Sequence, residues 1–459
     1  MNRRKFVKLT GGVGVATALA GCSNPFGRGG ETEATPSPGA TPTPTPEGTV
    51  RPEPPYADEY GTVVNMVAAG ADRTGNENIL DVLESHAGDD TLLYFPEGRY
   101  LLAEDGLHLL DFEHFGIVAD RAVIVPERGY EGVLFDFGRP GRATDLRIEG
   151  LGFDFRAPDT GPRPLSVLVD DDVVIRDLSV TGIQDAGWGM LRIDITGENG
   201  TGLVEGLHLP DGSISSTGST GCLVGEHHRG EIHFVDAHIE GFSDNGLYAD
   251  PRQGAVRVTG GFFANNNVSS LRVGDNSVVR NAHVRCDAKP DGFGNMRGLW
   301  LRHGNNVLVE NCSIELHRVT GSDGALVLAD ELEAATVRNT VIQVNVDDIE
   351  AIRAKSPKSK VALDGQCLFE GITITGTAGG GSTINVTDRL ACEFRDLYVR
   401  QDGPNRDGFK FNDCRALVED TYINVSGRAF VTDDGSEIEQ IGVRTGALTG
   451  IDRVRYDRP

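Results

Sequence analysis

The sequence predicts an all-β fold, a single-stranded parallel β-helix of about 11–12 coils, on three observations. The first is composition: 60 Gly and only two Trp among 459 residues, with 39% hydrophobic side chains, suit turn-dense β structure and not a helical bundle. The second is a punctuating Gly, Asn or Asp that returns from Gly150 and Asp177 through Gly206, Asp236, Gly260, Asn281, Asn311, Asn339, Gly371 and Asp396 to Asp420. Ten intervals cover 270 residues, an average of 27. These types tolerate a left-handed backbone, so one tight turn per coil explains the set. The third is what flanks the turns. Ile175-Arg176-Asp177-Leu178, Val309-Glu310-Asn311-Cys312 and Val337-Arg338-Asn339-Thr340 match on both sides. A unit in the twenties cannot bury its own apolar face, so the units must stack. A β-propeller would need about forty residues and four strands per blade.

The chain opens with segments outside that fold. Within residues 1–22, Arg3 and Arg4 precede a short apolar run from Leu9 to Ala20 and resemble a twin-arginine export signal. The run is too short to span a bilayer comfortably. Leu19-Ala20-Gly21-Cys22 resembles the lipobox of prokaryotic lipoproteins. That likeness implies a lipid on Cys22 and a protein held at the outer face of the cell membrane by this anchor alone. Residues 23–58 form a Thr/Pro/Glu-rich tether whose alternation from Thr41 to Pro46 favours extended polyproline II. Residues 59–459 are assigned to the β-helix domain.

The first part of that domain carries a specific likeness. Gly70-Ala71-Asp72-Arg73-Thr74-Gly75 is followed by Asn76 to His86, which reads as a helix with apolar Ile79, Val82 and Leu83, and then by Tyr94-Phe95-Pro96-Glu97-Gly98-Arg99-Tyr100. This succession resembles the N-terminal segment of the pectate-lyase-like superfamily. The resemblance implies a right-handed parallel β-helix with its open end capped by the helix, and a polysaccharide as substrate. Relatives include lyases, which neutralise a uronate carboxylate with Ca²⁺ or basic groups and remove the adjacent proton, and hydrolases with clustered aspartates. Their signatures are missing here. There is no Asn-Thr-Asp, Gly-His-Gly and Arg-Ile-Lys set and no Trp-Ile-Asp-His. The resemblance therefore brings fold and substrate class without a catalytic residue.

Stacking places equivalent residues about 4.8 Å apart, so outward columns can be read from the register. The second position after each turn gives His208, His238, Phe262 and His283 as neighbours. Flat rings at His238, Phe262 and His283 suit sugar stacking; the plainer reading is a ring stack that covers the sheet. On the strand before the turn, Arg272 and Arg302 each lie nine residues ahead of their Asn and are expected to stack directly. Ser270 and Trp300 are expected outward beside them, with Arg192, Tyr248, Arg353 and Lys410 near the same face. Two guanidiniums about 5 Å apart repel unless an anion separates them. Asp244, Asp323, Asp348 and Asp407 supply such anions in a solvated salt-bridge face. Alternatively the face is a cationic groove with Trp300 as sugar platform. In the groove, Arg272 or Arg302 is the base of a lyase, with His303 nearby. Hydrolysis is disfavoured, because inversion needs carboxylates roughly 6.5–9.5 Å apart. Asp244 and Asp323 are several coils apart, and adjacent Asp347 and Asp348 face opposite ways.

Charge sets the partner class. With 43 Lys+Arg against 68 Asp+Glu the net charge is −25, which repels nucleic acid. Only seven basic residues are Lys, and this acidic, Lys-poor composition resembles that of proteins from salt-loving archaea. Against that background a basic, aromatic-edged face points to an acidic polysaccharide. No transition metal is expected, since His227, His228, His233 and His238 follow no ligand spacing. Asp-lined turns leave room for Ca²⁺. Cys222, Cys286, Cys312, Cys367, Cys392 and Cys414 are expected as free, buried thiols, because Cys367 and Cys392 stack with parallel Cβ vectors. A monomer is expected. Two functions compete: a lyase-type enzyme of acidic glycans, with a glycoside hydrolase as runner-up, and a non-catalytic glycan-binding or cell-envelope protein.

Overall fold

A computed structural model describes residues 54–103, 105–187 and 189–446. The export signal with Arg3 and Arg4, the lipidation site Cys22 and the tether to residue 53 lie outside the described residues. Each coil between the first and the last described contributes three strands. In one coil these are Ala255–Thr259, Phe262–Ala264 and Val268–Val273; in the next, Val278–Arg280, His283–Asp287 and Met296–Gly304. Like strands pair in parallel with like, giving sheets A and B of 15 strands each and sheet C of 13.

The first residue between the A and B strands is left-handed at every predicted position, from Gly150 (φ 74°) through Asn281 (φ 57°) to Asp420 (φ 48°). At Gly206 and Gly260 the absence of a side chain leaves room for the turn Asp one coil earlier. A Cβ at Gly260 would lie 2.0 Å from Asp236 Oδ1, and one at Gly206 would lie 2.6 Å from Asp177 Oδ1. The expected count of 11–12 coils is corrected upward to 13–15 strands per sheet. One missed corner uses Arg121 (φ 51°), a residue type outside the Gly/Asn/Asp rule. Another is Gly442 (φ 65°), past which Arg444–Thr445 adds a final, exposed strand.

The capping helix expected over residues 76–86 is not borne out. Thr74–Asn78 is strand, and helix is confined to Leu80–His86, which buries Leu80 and Leu83. Inside the coils, apolar side chains align across sheets. Val258, Val279, Val309, Val337, Phe369, Phe394 and Val418 follow one another in register, each at most 1% exposed. Phe369 and Phe394 stack at 4.8 Å with 3° between ring planes. Each such side chain contributes about 1.5–3 kcal/mol through burial. The six described cysteines are free and buried, with Cys367 and Cys392 in register.

Candidate functional site

Sheet C carries Arg192, Leu223, Tyr248, Arg272, Trp300, Val327, Arg353, Asn385 and Lys410 in register on successive coils. The expected Arg272–Arg302 stack is corrected: Arg272 lies against Trp300, and Arg302 is two residues further on. Counting back from Asn281 and Asn311 crosses a corner, and that corner is two residues longer in the later coil. Sheet C pairs Arg272 with Trp300, 28 apart, whereas sheet A pairs Val279 with Val309, 30 apart. Ser270 is also corrected, being fully buried with its hydroxyl 3.8 Å from Cys286 Sγ.

Around Trp300 the guanidiniums pack on aromatic faces. Arg272 Cζ lies 3.9 Å from the Tyr248 centroid and 4.6 Å from that of Trp300; Arg297 and Arg302 approach Trp300 to 4.3 and 5.4 Å. Trp300 is thus an anchor for arginines before it is a platform for sugar. Each cation also has a carboxylate. Arg272 pairs with Asp250 at 2.9 Å, Arg297 with Asp323 at 2.5 Å, and Arg302 with Glu331 at 3.2 Å. Asp323 further takes Lys355 at 2.6 Å and Arg353 at 3.7 Å. Of the anions expected from the sequence only Asp323 serves this face. Asp244 accepts from Thr220, and Asp407 pairs with Arg428.

His303 does not reach the open surface. It is 5% exposed, with Nε2 3.0 Å from the Asp250 carbonyl oxygen. Gly274 makes that possible, since a Cβ there would lie 2.6 Å from His303 Nε2. Arg192, at the far end of the column, is held by Asp194 at 2.9 Å and Glu226 at 3.1 Å. Asp194 and Asp250 were missed by the sequence reading, although the signal was present. Each lies two residues after a flagged outward position, Arg192 and Tyr248, and alternation puts it on the same face.

A cleft of about 230 Å³ opens beside this ladder, lined by Leu223, Glu226, Tyr248, Asp250, Arg252 and Arg272 among others. Three buried donors have no hydrogen-bond partner: Arg272 Nε, on a residue that lines the cleft, Trp300 Nε1, and Arg302 Nη1, which lies 3.6 Å from Asp330 Oδ1. They are a third of the nine such atoms in the described residues, concentrated on one aromatic ring. Unsatisfied buried donors cost about 1–3 kcal/mol each. Burial raises the Tyr248 hydroxyl pKa against the opposing pull of Arg272. Glu331 is held down to about 2 by hydrogen bonds from Lys358 and Arg252. Burial pushes Asp323 up, but Lys355 and Arg297 outweigh it and hold the carboxyl far below the usual range.

The ring column is as expected in register but lies on another sheet. His208, His238, Phe262 and His283 are neighbours on sheet B, with ring centroids 4.8, 5.2 and 5.1 Å apart. The predicted substrate-binding residues therefore divide into a sheet C group (Arg192, Tyr248, Trp300, Arg353) and a sheet B group (His238, Phe262, His283). They do not form one site.

No protein-family model matches the chain, and no curated protein matches it. Among solved structures it is similar to PfbA, a surface adhesin of Streptococcus pneumoniae, at 13% identity over 84% of this chain and 93% of the other, with a TM-score of 0.44. It is also similar to the A-module of the Azotobacter vinelandii mannuronan C-5 epimerase AlgE6, at 13% identity over 84% and 100%, TM-score 0.43. A third is the catalytic unit of a GH87 alpha-1,3-glucanase from Streptomyces thermodiastaticus, at 10% identity over 84% and 70%, TM-score 0.39. Likenesses this distant carry no residue role to the present chain.

Proposed function

We propose that sheet C binds an acidic, uronate-containing polysaccharide, with Arg272, Trp300 and Arg302 as its principal donors. The observation that carries this is the cluster around Trp300 of three buried donors that make no hydrogen bond, one of them, Arg302 Nη1, 3.6 Å from Asp330. Carboxylate and hydroxyl oxygens of a uronate chain supply the missing acceptors, and charge-assisted bonds to such acceptors are the strong ones. The net charge of −25 makes a basic, donor-rich strip the place where a polyanion is tolerated.

Cleavage by elimination is the second reading, favoured by one juxtaposition: the Arg272 guanidinium 3.9 Å from the Tyr248 ring. Arg272, paired with Asp250 at 2.9 Å, fits the role of carboxylate neutraliser better than that of base. Arg302 is likewise paired, and His303 is turned to a carbonyl. Tyr248 is then the base, and its raised pKa requires activity to climb toward alkaline pH. The test is incubation with uronate polymers in molar salt, following binding, absorbance near 230 nm and new reducing ends separately. Absorbance growth supports elimination, reducing ends alone support hydrolysis, and binding without either supports an adhesive role. Absence of binding across the panel refutes the proposal.

Export by the twin-arginine route and anchoring through Cys22 belong to the same proposal, and the support is the sequence alone. Cys22→Ser is expected to release protein into the medium, and Arg3→Lys with Arg4→Lys to block export. Retention of the Cys22 variant in membranes refutes the anchor.

A further inference from the structure

Sheet B holds a constellation that the sheet C site does not use. Phe262 stands between His238 and His283, and both imidazoles meet it edge-on. Each imidazole is held through Nε2 by a carboxylate: His238 by Glu240 at 3.2 Å, and His283 by Glu315 at 3.1 Å. The other oxygen of Glu315 meets His317 Nε2 at 2.8 Å, and His317 Nδ1 meets Asn345 Nδ2 at 2.8 Å. Glu240 also accepts from Asn265 at 3.0 Å. An ionised carboxylate only accepts, so Nε2 is the donor of each pair, and the tautomer that fits this leaves Nδ1 as an acceptor. The His238 and His283 side chains are 31% and 40% exposed.

The spacing suits one sugar ring. Two coils separate His238 from His283, about 9.6 Å at 4.8 Å per coil. Subtracting a hydrogen bond of about 2.8 Å at each end leaves about 4 Å, the order of separation of non-adjacent hydroxyls on a pyranose. Charge sets the class. Arg285 is neutralised by Asp287 at 2.8 Å, and the carboxylates of Glu240 and Glu315 border the rings, so this patch is unfavourable to a polyanion. We propose that sheet B is a second carbohydrate site, independent of sheet C, which takes a neutral pyranose over Phe262 while His238 and His283 accept its hydroxyls through Nδ1.

The test is residue-resolved carbethoxylation of the full chain by diethylpyrocarbonate, with cellohexaose, maltohexaose or laminarihexaose as probe. At a concentration ten times its Kd, a bound hexose oligomer is expected to slow reaction at His238 and His283 about tenfold. His86, exposed on the helix, serves as control and should not change. Phe262→Ala abolishes the protection, and Trp300→Ala leaves it intact. His283→Gln, a second variant at an exposed position, weakens protection of His238. Unchanged rates with all three neutral probes overturn the proposal, as does protection that survives Phe262→Ala. Protection by oligogalacturonate alone also overturns it, because the face would then belong to the acidic chain.

Discussion

Replacing Arg272 by Ala removes one partner of an ion pair whose side chains are only 13% and 6% exposed. Asp250 is then left as a buried, uncompensated carboxylate, a loss of about 3–5 kcal/mol. The guanidinium's contacts with Tyr248 and Trp300, at 3.9 and 4.6 Å, disappear as well. Stacked coils need not unfold in one step, so a single melting temperature understates a local loss. Hydrogen exchange on peptides containing Tyr248, Arg272 and Trp300 is the better assay, with exchange there expected to rise on the order of 10²–10⁴-fold. Exchange in distant coils, around Phe394 for example, should hardly change. Arg272→Gln combined with Asp250→Asn is expected to recover most of the loss, because neither charge then stands alone. Acceleration below about tenfold refutes the claim that this pair is a buried, mutually dependent unit. The same variant also tests the glycan groove. If Arg272→Ala, Arg302→Ala and Trp300→Ala all lose protection yet bind uronate polymers unchanged, the ladder is structural and the groove is refuted.

Acid should loosen the same region. Glu331 has its pKa held to about 2 from an ordinary 4.5, so its contribution is present above 4.5 and lost as pH falls toward 2. Exchange in the coils of Arg302 and Lys358 should rise across that window, and Glu331→Gln should flatten the rise. The six described thiols should be inert in the folded protein at pH 8 and all react in denaturant; the hydrogen bond with Cys392 lowers Cys367 to about 7, so its inertness rests on burial alone. Burial pushes Cys286 up to about 12 and Cys312 up to about 11. One rapidly titrating thiol among the six in native protein refutes that. At the left-handed corners, Asn311→Gly should be nearly neutral, and Asn311→Val should lower stability by at least about 1–2 kcal/mol in chemical denaturation. Equal stability of the two variants contradicts the turn assignment.

The parts of the fold that were legible in the sequence are those where one residue type answers one backbone demand. A corner with φ near 48–57° admits Gly, Asn or Asp, so Asn281, Asn311 and Asp420 announce it; Arg121 meets the same demand at a cost and stays silent. Registers counted within a strand, or across the two-residue corner from A to B, held from Gly152 to Tyr422. Registers counted across the C-to-A corner failed, because that loop varies in length and nothing local reports its length. The candidate site fell on the wrong side of that limit. Arg302 was misplaced by two residues, and Asp250, which decides what Arg272 can do, was assigned no role.

The imbalance of Arg over Lys acquires a structural cause in this architecture. Stacking repeats every acceptor about 4.8 Å further along, and a planar fork of donors can hold two of them at once where an ammonium offers one point of charge. Arg395 spans Glu393 on its own strand and Glu419 on the next coil, at 2.9 and 2.5 Å. Glu310 is gripped from both sides by Arg280 and Arg338, at 2.9 and 2.7 Å. The device also turns inward. Arg389, 1% exposed, donates to the carbonyls of Lys355, Leu332 and Ala329 at 3.0, 3.1 and 2.9 Å, tying together corners that no ladder satisfies. Arg406, fully buried, does the same for Gly380 and Ile349 at 2.8 and 2.6 Å. A lysine at either position has three donors on a single atom and cannot reach carbonyls set this far apart. Arginine-rich composition is therefore what a stacked, acidic chain needs for cohesion, whatever the salinity. Left-over donors occur also at Arg338 and Arg406, so it is their clustering around Trp300 that marks a functional candidate.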